Sequence, residues 1–458
     1  MKKMSSYQLV YTDPNFLVEN NYGKVAHVPC IFDARPGFHR LGSEYLIDRA
    51  LGRWSPTRVE TRNFVRPPSS KSIKNYGSWL CNFLEWCDCR LIDPLNIDVV
   101  EDLIGKYQRE MIEGVWSRDN RSLSEKTINV RVDSALDFLA WAEFRGYRIR
   151  KKNAQYTIYD DKSLVADNRR ARAKTSSGTR LRESNSFIVL PDTQALISWR
   201  ARVGSRPVRG NTEVLIVDLI MESAIRITEA SCWRVDTLPL AMDDWDIINP
   251  AMPDRLKLVS LKICYGTKGP DYGYSHGDKI GPEGRIRISY ELALRIQYYR
   301  KNDRPHALGI AIKSAVTLKA QRRIRDESVQ LFLNPVSGLR YTADQIYEVW
   351  RLATPPKGWS PHRARDYWAC SLLWERMDEQ RRMLVKFAGT EFESELLIAL
   401  RANAETCILL EILPQMRHKS KETTLIYLKW FTDNSSFALN FHLKWTEELC
   451  SDSDKNFD

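Results

Sequence analysis

Residues Arg417 to Tyr427 read RHKSKETTLIY. A histidine, His418, stands nine residues ahead of a tyrosine, with two lysines and two threonines between them. One reading is an amphipathic helix and its lead-in, with Tyr427 packed on the inner face. The other makes Tyr427 a nucleophile and His418 part of the apparatus that serves it. The stretch fits both, and the rest of the chain has to separate them.

At 458 residues the chain is long enough for two or three domains. Its 43% hydrophobic content is ordinary for a globular protein with a sizeable core. The charge is less ordinary: 69 Lys and Arg against 58 Asp and Glu leave a net +11. That balance favours a polyanionic partner, nucleic acid first and an acidic membrane surface second. The nine cysteines are odd in number and irregularly spaced, which argues against a disulfide framework. Cys81, Cys87 and Cys89 cluster in WLCNFLEWCDC without a matching Cys/His pair, and His27, Cys30 and His39 are scattered. No metal is therefore expected. MKKMSSYQLVYTDPNF lacks the apolar run of a signal peptide, and no window is apolar enough to span a bilayer. The expectation is a cytoplasmic protein, nucleoid-associated when bound to DNA, without a membrane partner.

Along the chain, residues 1–68 form an N-terminal extension of mixed character, with strand-like YQLVYT and AHVPCIF among Pro, Gly and Asp breaks. From 69 to 165 the pattern is helical. Ile73, Tyr76, Leu80 and Phe83 recur at helical spacing, as do Val100, Leu103, Ile104, Tyr107 and Met111, and a further helix starts at SLSEKT. The segment 166–185 carries Arg169, Arg170, Arg172, Lys174, Arg180 and Arg182 among Ser and Gly, with no apolar period. It reads as a basic linker able to lie along a phosphate backbone, although a solvated charge run is the usual meaning. The block 186–432 opens with helices, passes through a strand-rich stretch (LKLVSLKICYGTKGP, GRIRISY) and returns to helices. IKSAVTLKAQRRIRDE reads as an inserted basic helix, and the tail 433–458 holds one short helical pattern, FHLKWTEEL. The fold class expected is mainly α with a small antiparallel β-sheet.

Four short pieces carry chemistry: SAIRITEASCWRVDTL, YGTKGP, SPHRARDYWACSLL and RHKSKETTLIYLKW. Singly, each has a plain structural reading. Arg226 and Glu229 can be an ion pair three residues apart on a helix, and Lys268 a solvated turn lysine. His362 and Arg365 can be a chance H-x-x-R, and Tyr427 a core tyrosine.

Together and in this order the pieces resemble the tyrosine recombinase family. Arg226 falls at the family's first catalytic arginine, Lys268 at its hairpin lysine, and His362 and Arg365 in its H-x-x-R box. His418 matches the later histidine, with Tyr427 at the family's spacing beyond it. LFLNPVSGLRYTADQIYEVWRLA also resembles the segment ahead of H-x-x-R, and the helical block resembles the family's core-binding domain. The likeness covers about 72–432. Asp366 departs from it, standing where many members have a second histidine, and Arg417 replaces a glycine. The stretch from Arg365 to His418 is longer than in compact members, the basic segment near 312–325 looks added, and residues 1–68 match nothing in the family.

The resemblance implies a core-binding domain and a catalytic domain of the DNA breaking-rejoining fold, closing as a clamp around duplex DNA. Tyr427 would attack phosphorus and hold the strand end as a 3′-phosphotyrosyl ester, with no cofactor or metal. Two guanidiniums, Arg226 and Arg365, suit the charge gathering on the non-bridging oxygens. His418 would add a hydrogen bond, Lys268 would protonate the leaving 5′ oxygen, and His362 would accept the tyrosine's proton. Exchange between two duplexes needs four active sites, so a homotetramer on two DNA sites is implied. Accessory recombination proteins and service to a mobile genetic element are further expectations of the family. The alternatives are a type IB topoisomerase-like or telomere-resolvase-like strand transferase, and a recombinase-like protein that binds DNA without cutting it. On this reading Tyr427 is expected to face a phosphate rather than lie sealed in a core.

Overall fold

Short polar side chains decide where the long helices begin. Ser69, Ser124, Asp192 and Ser289 each accept a hydrogen bond from the backbone N–H three residues on, and Thr342 forms a reciprocal capping box with Gln345. The computed structural model describes residues 7–33, 35, 37–56, 67–149, 156–158, 174–176, 180–183, 188–267, 280–388, 393–418 and 420–434. They fall into two compact units, Met1–Ser186 and Phe187–Asp458.

The first unit contains β1 (Gln8–Val10), α1 (Pro14–Glu19), β2 (Cys30–Phe32), α2 (Arg40–Ala50) and α3 (Ser70–Cys89). A π-helical segment, Val99–Gln108, then runs into α4 (Arg109–Ile112) and is followed by α5 (Glu125–Phe144). β3 (Tyr156–Ile158) and β4 (Lys174–Ser176) complete it. β1 pairs antiparallel with β2, and β3 with β4. The periodic apolar residues of α3 and α5, among them Ile73, Leu80, Phe83, Ile128, Val132, Phe138 and Leu139, make one buried core. Residues of the N-terminal extension share it: Val28, Ile31, Tyr45 and Leu46 lie in the same core. Polar bonds reinforce the joint. Tyr45 and Trp54 both donate to Asp137 of α5, at 2.6 and 2.8 Å, and Trp141 donates to Asp48 of α2 at 2.9 Å.

The second unit holds α6 (Thr193–Gly204), α7 (Gly210–Ser223), α8 (Ile227–Ser231), β5 (Asp246–Ile247), β6 (Leu258–Tyr265) and β7 (Ile280–Ser289). Then come α9 (Tyr290–Lys301), α10 (Asp303–Ser314), α11 (Leu318–Glu327), α12 (Ala343–Leu352), α13 (Pro361–Ala388) and α14 (Glu393–Cys407). A π-helical turn, Ile408–Ile412, leads to α15 (Leu413–Met416) and α16 (Glu422–Asn434). The strands form one antiparallel sheet in the order β5-β6-β7. Alternating Val259, Leu261, Ile263 and Ile286, Ile288 turn inward onto α7 and α9. A second core gathers Ala369, Cys370, Leu373 and Met377 of α13 with Ala404, Ile408, Ile412 and Tyr427.

The architecture is mainly helical with small antiparallel sheets, the class expected from the pattern. The inserted basic segment differs from expectation. It is two helices, because the chain leaves α10 at Ala315 and Thr317 caps α11 afresh. The short tail pattern FHLKWTEEL lies outside the described residues. Among the described residues no helix is long and apolar enough to cross a membrane.

Candidate active site

The site is built where α7 ends. Ala224 takes a left-handed conformation, φ 52°, and turns the chain so that Arg226 becomes the N-cap of α8. Glu229, fully buried on α8, then ties Arg226 down twice. The Arg226 backbone N–H donates to Glu229 Oε2 at 2.6 Å, and its Nη1 donates to Oε1 at 2.9 Å. The RITE spacing is therefore an ion pair, and it aims the arginine. Arg226 Nη2 reaches the carbonyl of Arg417 at 3.4 Å.

Arg365 comes from the second turn of α13 and is 3% exposed. Its Nη1 donates to the Ala224 carbonyl at 2.5 Å and its Nη2 to the Met416 carbonyl at 3.1 Å. One guanidinium thus joins the turn before α8 to the end of α15. Burial, and then the neighbouring Arg226, push its pKa down to about 10, so it stays charged at neutral pH.

Arg417 also sits in the left-handed region, φ 52°, where a glycine would fit most easily. Its stem runs over Gly284 of β7, where any Cβ would collide with Arg417 Cδ. The guanidinium donates to Glu229 and, through Nη1, to the Gln415 carbonyl at 2.9 Å. Its Nε is buried with no hydrogen-bond partner among the described residues. Gln415 clasps the sheet beside it, bonding both backbone groups of Arg287 at 2.9 Å and the Ser223 carbonyl at 3.0 Å.

His418 is held by a bond between Nδ1 and Thr424 Oγ1 at 3.0 Å. Its ring lies nearly parallel to that of Tyr427, with centroids 6.5 Å apart and planes at 17°. Burial first, then Arg365 and Arg226, push its pKa down to about 4, so the imidazole is neutral at neutral pH. Arg226, Arg417 and His418 line a cleft of about 340 Å³ together with Thr267, Gly284, Ser420 and Thr423.

Tyr427 differs from the sequence expectation. It is 1% exposed, is absent from the cleft lining, and donates its hydroxyl to Asp366 Oδ1 at 3.0 Å. The reason is local: Asp366 offers an acceptor one residue after Arg365, which draws the phenol toward α13. Burial, reinforced by the Asp366 charge, raises the tyrosine's pKa well above its ordinary value.

Arg226, Arg365, His418 and Tyr427 are thus brought together from three separated segments. His362 stands exposed on the first turn of α13. Lys268 lies outside the described residues. Its neighbour Thr267 lines the cleft, and Gly266, φ +73°, presses so close to α8 that a Cβ there would collide with the Thr228 carbonyl. Of the linker residues, Arg169, Arg170 and Arg172 are outside the described set and Lys174 begins β4. Arg182 is exposed. Arg180 pairs loosely with Asp133 at 3.5 Å, while Leu181 exchanges two hydrogen bonds with Asn129 of α5. Part of this stretch is therefore anchored on the first unit.

Asp366, Arg417 and Gln415 carry interactions that the sequence reading did not assign. For Asp366 and Arg417 the available signal was their departure from the family's residues; Gln415 offered none. Among the described residues no group of His, Cys, Asp and Glu could hold a metal ion.

No protein-family model matches the chain, and no curated protein matches it in sequence. Solved structures similar to it include a XerH site-specific recombinase bound to a palindromic difH substrate, at 14% identity and TM-score 0.45, covering 87% of this chain and 94% of that one. The integrase of transposon Tn1549 in complex with a circular-intermediate DNA is similar at 12% identity and TM-score 0.44, covering 83% and 94%. A XerA recombinase is similar at 12% identity and TM-score 0.30, covering 87% and 99%.

Proposed function

We propose that this protein is a site-specific tyrosine recombinase that cleaves and rejoins DNA through a 3′-phosphotyrosyl intermediate. The observation that carries the reading is the convergence of Arg226, Arg365 and His418 with Tyr427, through the carbonyls of Ala224, Met416 and Arg417. Guanidiniums stay charged in a buried site and present fixed donor forks to phosphate oxygens. A pentacoordinate phosphorane gathers negative charge there, and losing one such donor typically slows chemistry about a hundredfold or more. With the Thr424 hydroxyl donating to His418 Nδ1, the ring's proton sits on Nε2, which can donate to a phosphate oxygen. Lys268, next to a residue of the cleft lining, is the candidate acid for the leaving 5′ oxygen.

In the described form Tyr427 is sealed, so attack requires DNA to open its surroundings. The net charge of +11 favours a duplex partner, and the exposed Arg182 is a candidate phosphate contact. Assembly as a tetramer on two sites, service to a mobile element and action in the cytoplasm belong to the same proposal. The burial of Tyr427 favours one second reading, a protein that binds DNA without cutting it.

Capture of DNA covalently attached to the protein in cells, without added crosslinker, tests the two. Adducts with the wild type and none with Tyr427→Phe support the recombinase and give its site on sequencing. Adducts with both would make Tyr427 the wrong nucleophile. Binding at defined sites without adducts in either would favour the second reading.

A further inference from the structure

The sequence resemblance gives the tyrosine's proton to His362. The geometry points to another group, and we infer that Asp366 is the proton acceptor for Tyr427 as it attacks phosphorus. The inference rests on the recombinase reading above. The Tyr427 hydroxyl already donates to Asp366 Oδ1 at 3.0 Å. A general base has to stand within hydrogen-bond reach of the proton it removes, and this one does. His362 lies on the same helix, four residues before Asp366; it is exposed and its charge reaches His418, but the phenol's hydroxyl is taken by Asp366.

The Asp366 carboxylate is held for the task. It is 5% exposed, and its second oxygen, Oδ2, receives Arg363 Nη1 at 3.2 Å. One oxygen is thus tethered and the other turned to the phenol. The charged and titratable groups around the pair include Arg363, Arg365 and Cys370 on α13, and His418 ahead of α16, which is itself faced by Arg226, His362 and Arg417. Cys407, at the end of α14, lies in the same core. Arg365 lowers the cost of charge on the tyrosine oxygen, whereas burial raises it. A phenol so placed does not ionise in advance; it gives its proton to a fixed acceptor as its oxygen bonds to phosphorus.

The step balances without a co-reactant. The Oη–P bond forms while the Oη proton passes to Asp366 Oδ1. The P–O5′ bond breaks, its electron pair stays on O5′, and that oxygen takes a proton from the general acid, for which Lys268 is the candidate. In the reverse reaction Asp366 returns its proton to the departing phenolate.

The test uses a nicked duplex carrying the sequence recovered from wild-type adducts, so that cleavage releases a short fragment and traps the ester. Adduct formation is timed from pH 6 to 9 for the full-length wild type, Asp366→Asn and Asp366→Glu, with duplex binding measured by gel shift. The expected result for Asp366→Asn is intact binding and a rate about a hundredfold lower at pH 7. The wild-type to variant ratio should then shrink about tenfold per pH unit, because the variant's tyrosine must lose its proton to hydroxide. Asp366→Glu should recover part of the rate. A ratio that stays constant with pH makes Asp366 merely structural and overturns the inference. A faster Asp366→Asn makes the carboxylate a restraint on the tyrosine and overturns it too. The hydroxide dependence appearing in His362→Gln instead would return the role to the histidine. If no wild-type adduct is recovered from cells, the recombinase reading falls before this test begins, and this inference with it.

Discussion

Arg417 donates to the buried carboxylate of Glu229, a residue 188 positions earlier in the chain. Glu229 also holds Arg226, so one fully buried acid pairs with two guanidiniums that line the same cleft and leaves a net positive charge. With Arg365 close behind, the site is positive before any ligand arrives, as a phosphate site should be.

Replacing Glu229 by Gln leaves those two cations without a counter-charge in a dry site. Removing one partner of a buried pair costs about 3–5 kcal/mol, somewhat less where the shape is kept. The expected outcome is a lower Tm that rises again on adding inorganic phosphate, read by thermal unfolding.

The Arg365 fork cannot be reproduced by a lysine. Arg365→Lys leaves the Ala224 or the Met416 carbonyl unsatisfied, which costs about 1–3 kcal/mol. It also removes a planar donor pair from the phosphate. Covalent adducts should form at least about a hundredfold more slowly, while gel-shift affinity for duplex changes little.

His418 sets a pH dependence of stability. Its folded pKa, near 4, lies below the unfolded value of about 6.5, so the unfolded chain binds the proton more tightly. The stabilisation is complete above about pH 6.5 and is lost as pH falls toward 4. Denaturant midpoints of wild type and His418→Asn should therefore differ most near neutrality and converge over that window. A constant difference would remove the linkage.

Gly266→Ala should destabilise the second unit by about 1–3 kcal/mol, because the site combines positive φ with a carbonyl in the way. The variant should also form adducts more slowly, since this glycine stands beside the cleft residue Thr267 and two positions before Lys268. A variant with wild-type Tm and adduct rate would show that the close approach to α8 is not needed.

Much of the architecture was legible because it rests on local signals. The apolar spacing of Ile73, Leu80 and Phe83 and the alternation in LVSLKICY are properties of short windows. The set Arg226, His362, Arg365, His418 and Tyr427 was instead read from its order along the chain, since each piece alone has a plain structural reading. What was not legible depends on partners far apart in the chain. The buried face of α2 carries Ser43, Asp48 and Arg49, which blurs its helical pattern, and their partners lie elsewhere in the chain: Ile31 for Ser43, Trp141 of α5 for Asp48 and Asp137 of α5 for Arg49. The place of residues 7–56 in the first core therefore had no signature of its own. Tyr427 was expected to meet a phosphate, and it meets Asp366, 61 residues away, because a buried hydroxyl is satisfied by a carboxylate within reach.

If Tyr427 is the nucleophile, its oxygen becomes bonded to DNA. Adducts recovered from cells can be digested with nuclease and trypsin, and the peptide containing Tyr427 sequenced by mass spectrometry. A nucleotide phosphate is expected on Tyr427 and on no other residue. The same mass on a different tyrosine, or adducts that carry no phosphotyrosyl linkage, would contradict it.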